Sequence, residues 1–266
     1  MADEELLIER RNAVAWMTLN RPRSLNALNP ELIGQLEAAL TDIRDDRTIK
    51  AVVIGGSGRA FSAGIDIKAS AEMGPPTAEE WRKRLLEEVN LIYQIWDLPQ
   101  PVVAAVHGYC LGFACDLVMA CDMVVAADDA TFGEPEIRYA SASTFLLMPF
   151  VLGLRKTKDL LLTGESVDAQ TAERIGLVSQ VVPADELQEA AGAVATKLAV
   201  IPEAAMHLSK VAINKAFEFM GLREAVSYNL ETFVQIRLSE SAQEWDRLVA
   251  EKGFKAALAE REQALS

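Results

Sequence analysis

Three segments of the chain put small or polar residues where chemistry is possible. The first, Gly55-Gly56-Ser57-Gly58-Arg59-Ala60-Phe61-Ser62-Ala63-Gly64-Ile65-Asp66-Ile67-Lys68, follows an apolar stretch of strand length, Ala51–Ile54. Its glycines let a backbone pass close to a ligand and aim N–H groups at it. By itself the segment reads equally as a solvent loop, and it lacks the Gly-Lys-Ser/Thr ending of a phosphate-binding loop. The second segment, His107-Gly108-Tyr109-Cys110-Leu111-Gly112-Phe113-Ala114-Cys115-Asp116, follows the apolar run Val102–Val106. A helix beginning near Gly112 would present unpaired N–H groups with partial positive charge, suited to a developing oxyanion. Asp116, three residues after Phe113, would then set a carboxylate beside that donor. Taken alone, an aspartate in an early helix turn is more often a capping or dipole-stabilising residue than a catalyst. The third segment, Phe132-Gly133-Glu134-Pro135-Glu136-Ile137, offers Glu136 at an element boundary where a side chain can face a cleft.

Other chemistries find less support. With two histidines in the chain, no Ser/His/Asp arrangement can be assembled, and no metal-ligand spacing occurs. His107 reads as a satisfied core histidine. The three cysteines, Cys110, Cys115 and Cys121, fall in one apolar stretch and read as buried thiols of a reducing, cytoplasmic compartment. A net charge of −13 with no basic cluster argues against nucleic acid or an anionic membrane surface as the main partner. Pro101–Ala127 is apolar enough to suggest a membrane span, but His107, Asp116 and Asp122 interrupt it and Gly108 and Gly112 divide it into strand, turn and helix. The opening MADEELLIER is acidic and carries no export signal.

The elements that must carry these segments follow from the apolar spacing. Strand-length apolar runs occur at Leu6–Ile8, Val14–Leu19, Ala51–Ile54, Val102–Val106, Met123–Ala126 and Val178–Val182, with helical patterns between several of them. Asn29-Pro30-Glu31 predicts a helix start, with Leu32, Ile33, Leu36 and Leu40 on one face, and a second helix is predicted over Thr77–Trp96. After Val182 the strand signals stop; Ala184–Ala199, Glu203–Phe219, Leu222–Leu238 and Ser241–Leu265 carry helical spacing. The chain therefore reads as an α/β core over 1–201 with an all-helical region over 202–266.

In this order and spacing, the pieces resemble the crotonase (enoyl-CoA hydratase/isomerase) superfamily over nearly the whole chain. The matching motifs are Asn20-Arg21-Pro22 with Leu25-Asn26-Ala27-Leu28, Ala60 to Lys68, Gly108-Tyr109-Cys110-Leu111-Gly112, Phe132-Gly133 with Pro135-Glu136-Ile137, Leu162-Thr163-Gly164, and Ala172 to Val182. The resemblance implies a spiral of ββα turns and a C-terminal helical region that builds trimers, commonly paired into hexamers. It implies an acyl-CoA thioester substrate, with coenzyme A brought in as part of that substrate and no separate cofactor. The oxyanion hole would be the backbone N–H groups of Ile65 and Phe113. Arg23, Leu25, Ala63, Asp66, Ile67 and Lys68 would line the coenzyme A path, and Glu136 and Asp116 would be the acid/base pair.

Three departures from the family pattern bear on chemistry. Phe113 replaces a usual glycine, which predicts crowding of the hole. Asp116 stands where hydratases carry glutamate, one methylene shorter, or roughly 1.5 Å of reach. The segment Arg138–Thr144 replaces a glycine-rich stretch, with Thr144 near the place where dienoyl-CoA isomerases carry a further acid. The expected activity is reversible hydration of a 2-enoyl-CoA. Double-bond isomerisation is the alternative, and a binding protein that keeps the fold without the chemistry is a third.

Overall fold

The computed structural model describes residues 4–67, Ala69 and 76–265. Its centre is a six-stranded sheet in the order β1 (Leu6–Arg11), β2 (Val14–Leu19), β3 (Ala51–Gly56), β5 (Val102–Val106), β7 (Met123–Ala127), β10 (Gln180–Val182). Only β1 and β2 pair antiparallel; the others run parallel. The reason lies in the residue pattern. β3 and β5 are apolar at nearly every position because both sheet faces are covered, as parallel strands require. Val52, Ile54, Val102 and Ala104 face the main core, while Val53, Val103 and Ala105 face the opposite side. There helix α6 (Leu187–Ala199) closes over them with Leu187, Ala191 and Ala195.

A second sheet of short strands, in the order β4 (Ala60–Ser62), β6 (Tyr109–Leu111), β8 (Thr131–Gly133), β9 (Ser166–Asp168), stands beside the first. Each of β3, β5 and β7 is followed within a few residues by its short partner β4, β6 or β8, and this repeated step is the ββα spiral. Three-residue strands are too short to register as a sequence period, so none of the four is legible in the chain.

Helix α1 (Pro30–Asp45) opens as expected, with the Asn29 side chain accepting from the Leu32 N–H at 2.8 Å. Helix α2 (Ala78–Trp96) starts on a capping box: the Glu80 N–H donates to Thr77 Oγ1, and the Thr77 N–H donates to Glu80 Oε2 at 2.7 Å. Helix α3 (Phe113–Ala120) is buried over its entire length. Helices α4 (Met148–Thr163) and α5 (Ala169–Ile175) precede β10. Beyond α6 follow α7 (Glu203–Phe219), α8 (Leu222–Arg237), α9 (Glu240–Lys252) and α10 (Phe254–Leu265).

Several expectations are adjusted. The single helix over Ser241–Leu265 is two, divided at Gly253, whose φ of +79° and ψ of 153° leave the helical region. The strand expected over Val178–Val182 begins at Gln180. The helical region expected to build an assembly covers some of its own large side chains: Phe233 packs against Trp81 and Trp245 stacks on Tyr139.

Candidate active site

The first loop is pinned from below. Arg21 forms an ion pair with Asp66 at 3.0 Å and another with Glu5 at 3.1 Å, and it also donates to the Ala27 carbonyl. The Leu28 N–H donates to Gly64 O and the Asp66 N–H to Leu28 O, both across the same bridge. In a parallel bridge of this kind the intervening Ile65 N–H points away, and it has no hydrogen-bond partner among the described residues. Gly64, at φ +86°, is required here: a Cβ would stand 2.6 Å from Leu111 O and 3.3 Å from the Phe113 nitrogen. The Ile65 loop is thereby pressed against the start of α3.

At that helix start, Gly112 adopts φ +59° and its N–H donates to Gly133 O at 2.8 Å. The Phe113 N–H, the first of the helix, is left without a partner among the described residues. Two free backbone donors from separate loops therefore lie side by side. The Phe113 ring is 2% exposed and packs in the main core, so the crowding expected from its size goes into the interior. His107 is half-buried and not a core residue; its Nε2 lies 2.9 Å from Gly58 O and ties the two loops together.

Glu136 sits in a short 3-10 helix, Pro135–Tyr139, that brings its carboxyl over Gly112. The place a Gly112 Cβ would occupy is 2.2 Å from Glu136 Oε1. Its other oxygen, Oε2, is buried and unpartnered. Burial, reinforced by the charge of Glu88, pushes this carboxyl up to about 7.

Asp116 has no solvent exposure, and its oxygens are occupied. Ser143 Oγ donates at 3.2 Å and the Phe145 N–H at 3.1 Å. Burial drives its carboxyl well above the usual range, and the charges of Glu136 and Glu88 push the same way against those two hydrogen bonds. Asp116 and Glu136 are close enough for Asp116 to feel the charge of Glu136, but they are in unequal states. Glu136 keeps a free oxygen, whereas Asp116 anchors a loop.

Two further carboxyls share this neighbourhood, and sequence reasoning missed both. Glu134 is 1% exposed, with neither oxygen partnered. Burial, then the charges of Asp116 and Glu136, raise it strongly; the Ser143 hydroxyl is near enough to soften the shift but donates to Asp116 instead. The available signal was a period of two from the buried Phe132. Glu88 lies on α2, three residues after the buried Leu85 and four before the buried Ile92. An acid on the apolar face of an amphipathic helix was the signal there. Burial lifts Glu88 to about 7, while a hydrogen bond from Thr144 Oγ1 at 2.9 Å opposes the shift.

The remaining site residues are scattered along the loop rim. Arg23 is exposed in the 3-10 helix Pro22–Ser24. Leu25 accepts from the Ala63 N–H at 2.9 Å, which joins these two positions directly. Ile67 is exposed, and Lys68 lies outside the described residues. Asp66 is engaged with Arg21. Among the described residues no group of His, Cys, Asp and Glu could hold a metal ion.

Comparison with known proteins gives a consistent answer. The chain matches the family profile described as enoyl-CoA hydratase/isomerase over residues 9–259. It is 38% identical over 236 residues to a protein of Mycobacterium tuberculosis named as a probable enoyl-CoA hydratase, covering 88% of this chain and 90% of that one. It is 32% identical to the short-chain-enoyl-CoA hydratase of Clostridium acetobutylicum, covering 86% and 87%. Among solved structures, an enoyl-CoA hydratase/isomerase from Xanthobacter autotrophicus superposes with a TM-score of 0.95 at 36% identity, covering 98% of each chain. A fold of ββα turns, two free backbone donors meeting under a carboxylate, and relatives at this level across nearly the full length carry one conclusion: the chain belongs to the enoyl-CoA hydratase/isomerase family, the crotonases.

Proposed function

We propose that the protein adds water reversibly across the double bond of a 2-enoyl-CoA. The observation that carries the reading is Glu136, a carboxyl raised to about 7 with one buried, unpartnered oxygen, lying beside two unpartnered backbone N–H groups. In this reading the thioester oxygen accepts from the Ile65 and Phe113 N–H groups. Glu136 takes a proton from water as the water oxygen bonds to C3, and the C2–C3 π pair moves onto the thioester as an enolate. Asp116, whose carboxyl burial drives above the usual range, is the partner acid that delivers a proton to C2. Each backbone donor is worth about 10²- to 10³-fold in rate. Arg23, Leu25, Ala63, Asp66, Ile67 and Lys68 would border the coenzyme A path, with Asp66 acting through its bond to Arg21.

A second reading is favoured by one observation. Since both Asp116 oxygens accept hydrogen bonds and Glu136 alone has a free one, a single carboxyl could shuttle a proton between C2 and C4 and move the double bond without water.

Glu136→Gln preserves size while deleting proton transfer, so kcat on crotonyl-CoA should fall about 10²- to 10⁴-fold with thioester affinity unchanged. Near-normal turnover would put the chemistry elsewhere. Asp116→Asn separates the two readings, because hydration should collapse while isomerisation of a 3-enoyl-CoA persists.

We further propose a homotrimeric or hexameric assembly in the cytoplasm. Support comes from Leu208, Phe219, Met220 and Tyr228 on or beside α7 and α8, which are 63%, 87%, 69% and 80% exposed, more apolar surface than a monomer ordinarily leaves bare. The three cysteines are free and buried, in keeping with a reducing compartment. No described helix is long and apolar enough to cross a membrane. Light scattering reporting a monomer or dimer at micromolar concentration would remove the assembly claim.

A further inference from the structure

The segment Ser143-Thr144-Phe145 is a junction of three elements. Ser143 Oγ and the Phe145 N–H donate to Asp116 on α3, and between them Thr144 Oγ1 donates to Glu88 on α2. From the other side, the Asn229 side chain on α8 donates to the carbonyls of Ser143 at 2.8 Å and Thr144 at 3.3 Å. Every side chain in this junction is buried or half-buried. Glu88 and Asp116 therefore grip adjacent residues of one short strap.

We propose that Glu88 is a positioning residue of the acyl-thioester site: through Thr144 it holds the 143–145 strap that supplies both donors to Asp116, and it belongs to the same cluster of carboxyls as Asp116 and Glu136. This rests on Glu136 being the acid/base group proposed above. The electrostatic surroundings make the coupling strong. On its own helix Glu88 is flanked by Arg84 and Glu87; Asp116 feels its charge from α3 and Glu136 from the 3-10 helix. Helix α8 contributes the neutral Asn229 here, and its Glu231 is paired with Arg82. From α1, Glu37 interacts with Glu87. Arg84 is the cation whose charge acts on Glu88, while Arg237 of α8 lies over the Trp81 ring and donates to Ala140 O; the carboxyls Glu88, Asp116, Glu134 and Glu136 share one low-dielectric neighbourhood. Like charges so placed do not ionise independently, so a proton removed from one raises the cost of removing the next. Glu88 rises to about 7 by burial, the same range as Glu136, so its charge changes where Glu136 works.

The test is the pH profile of kcat/KM for crotonyl-CoA hydration with the full-length protein. Glu88→Gln keeps the bond from Thr144 and removes the charge. Glu136 then ionises more easily, so the acid limb moves to lower pH, and the ratio of kcat/KM at pH 6 to that at pH 8 rises about two- to threefold over the parent. Thr144→Val removes the bond that favours ionised Glu88 and should shift the limb in the same direction by less. Should Glu88→Gln fold poorly, Thr144→Val carries the test alone. A purely structural Glu88 would lower rate or stability evenly at every pH and leave the limb in place, and that outcome overturns the proposal. Loss of the Glu136 assignment would show separately, as near-normal turnover in Glu136→Gln.

Discussion

Glu136 lies directly over Gly112: a Cβ on Gly112 would stand 2.2 Å from Glu136 Oε1 and 3.3 Å from its Cδ. The glycine serves two ends at once. Its φ of +59° with ψ of −133° belongs to backbone that side chains disfavour, and its missing Cβ is the space the carboxyl occupies. Gly112→Ala should displace the carboxyl and distort the start of α3, with a kcat loss at least as large as that of Glu136→Gln. Steady-state rates of the two variants, measured side by side with circular dichroism to verify folding, check this.

The carboxyl pushed up to about 7 sets the pH dependence. A base must be ionised to accept a proton, so kcat/KM should fall as pH drops through about 7, by close to tenfold per unit below it. Glu136→Gln should abolish this limb along with most of the rate. A profile flat from pH 5 to 8 in the parent protein would contradict the assignment.

Glu134 makes a prediction about stability. Its folded-state carboxyl is raised, so the native state binds a proton more tightly than the unfolded chain does. Stability from this group is therefore present at low pH and is lost as pH rises above the ordinary carboxylate range of about 4.3. Glu134→Gln, permanently neutral, should raise Tm at pH 8 by about 2–4 °C, the effect of roughly 1 kcal/mol in a chain of this class, with little change at about pH 3.5, below the unfolded carboxylate value. Thermal melts at the two pH values decide it; equal shifts at both would mean that charge is not the cause.

Asn229 ties the C-terminal helices to the catalytic neighbourhood through the carbonyls of Ser143 and Thr144. Asn229→Leu leaves those buried acceptors unmet, at a cost of about 1–3 kcal/mol. Because the same strap supplies both donors to Asp116, kcat should drop while KM for crotonyl-CoA holds. Parallel changes in both parameters would point to a general loss of folded protein instead.

Gly64→Ala tests the meeting of the two backbone donors. A side chain at this φ of +86° would collide with Leu111 O at 2.6 Å and part the Ile65 loop from α3. The expected loss is about 10²- to 10³-fold in kcat, as for one missing oxyanion donor. Retention of rate would show that Ile65 and Phe113 do not act together.

The sequence by itself determined the α/β core and marked the two glycine-bearing loops, while the parallel direction of the strands came from the structure. Runs such as Ala51–Ile54 and Val102–Val106 are apolar at consecutive positions, and only a sheet covered on both faces accommodates that pattern. It also offered Asp116 and Glu136 as candidates, each weak on its own residues and given an acid/base role only by the family resemblance. What it left undecided were properties that exist only between elements. The inward turn of the Phe113 ring depends on the core that receives it. Glu88 on α2, Glu134 after β8 and Asn229 on α8 are far apart in the chain, and each alone is an ordinary polar residue among many. Their roles arise when folding removes water from around them, since a carboxyl is pushed toward neutrality by burial and by its neighbours' charge, and neither is a property of local sequence.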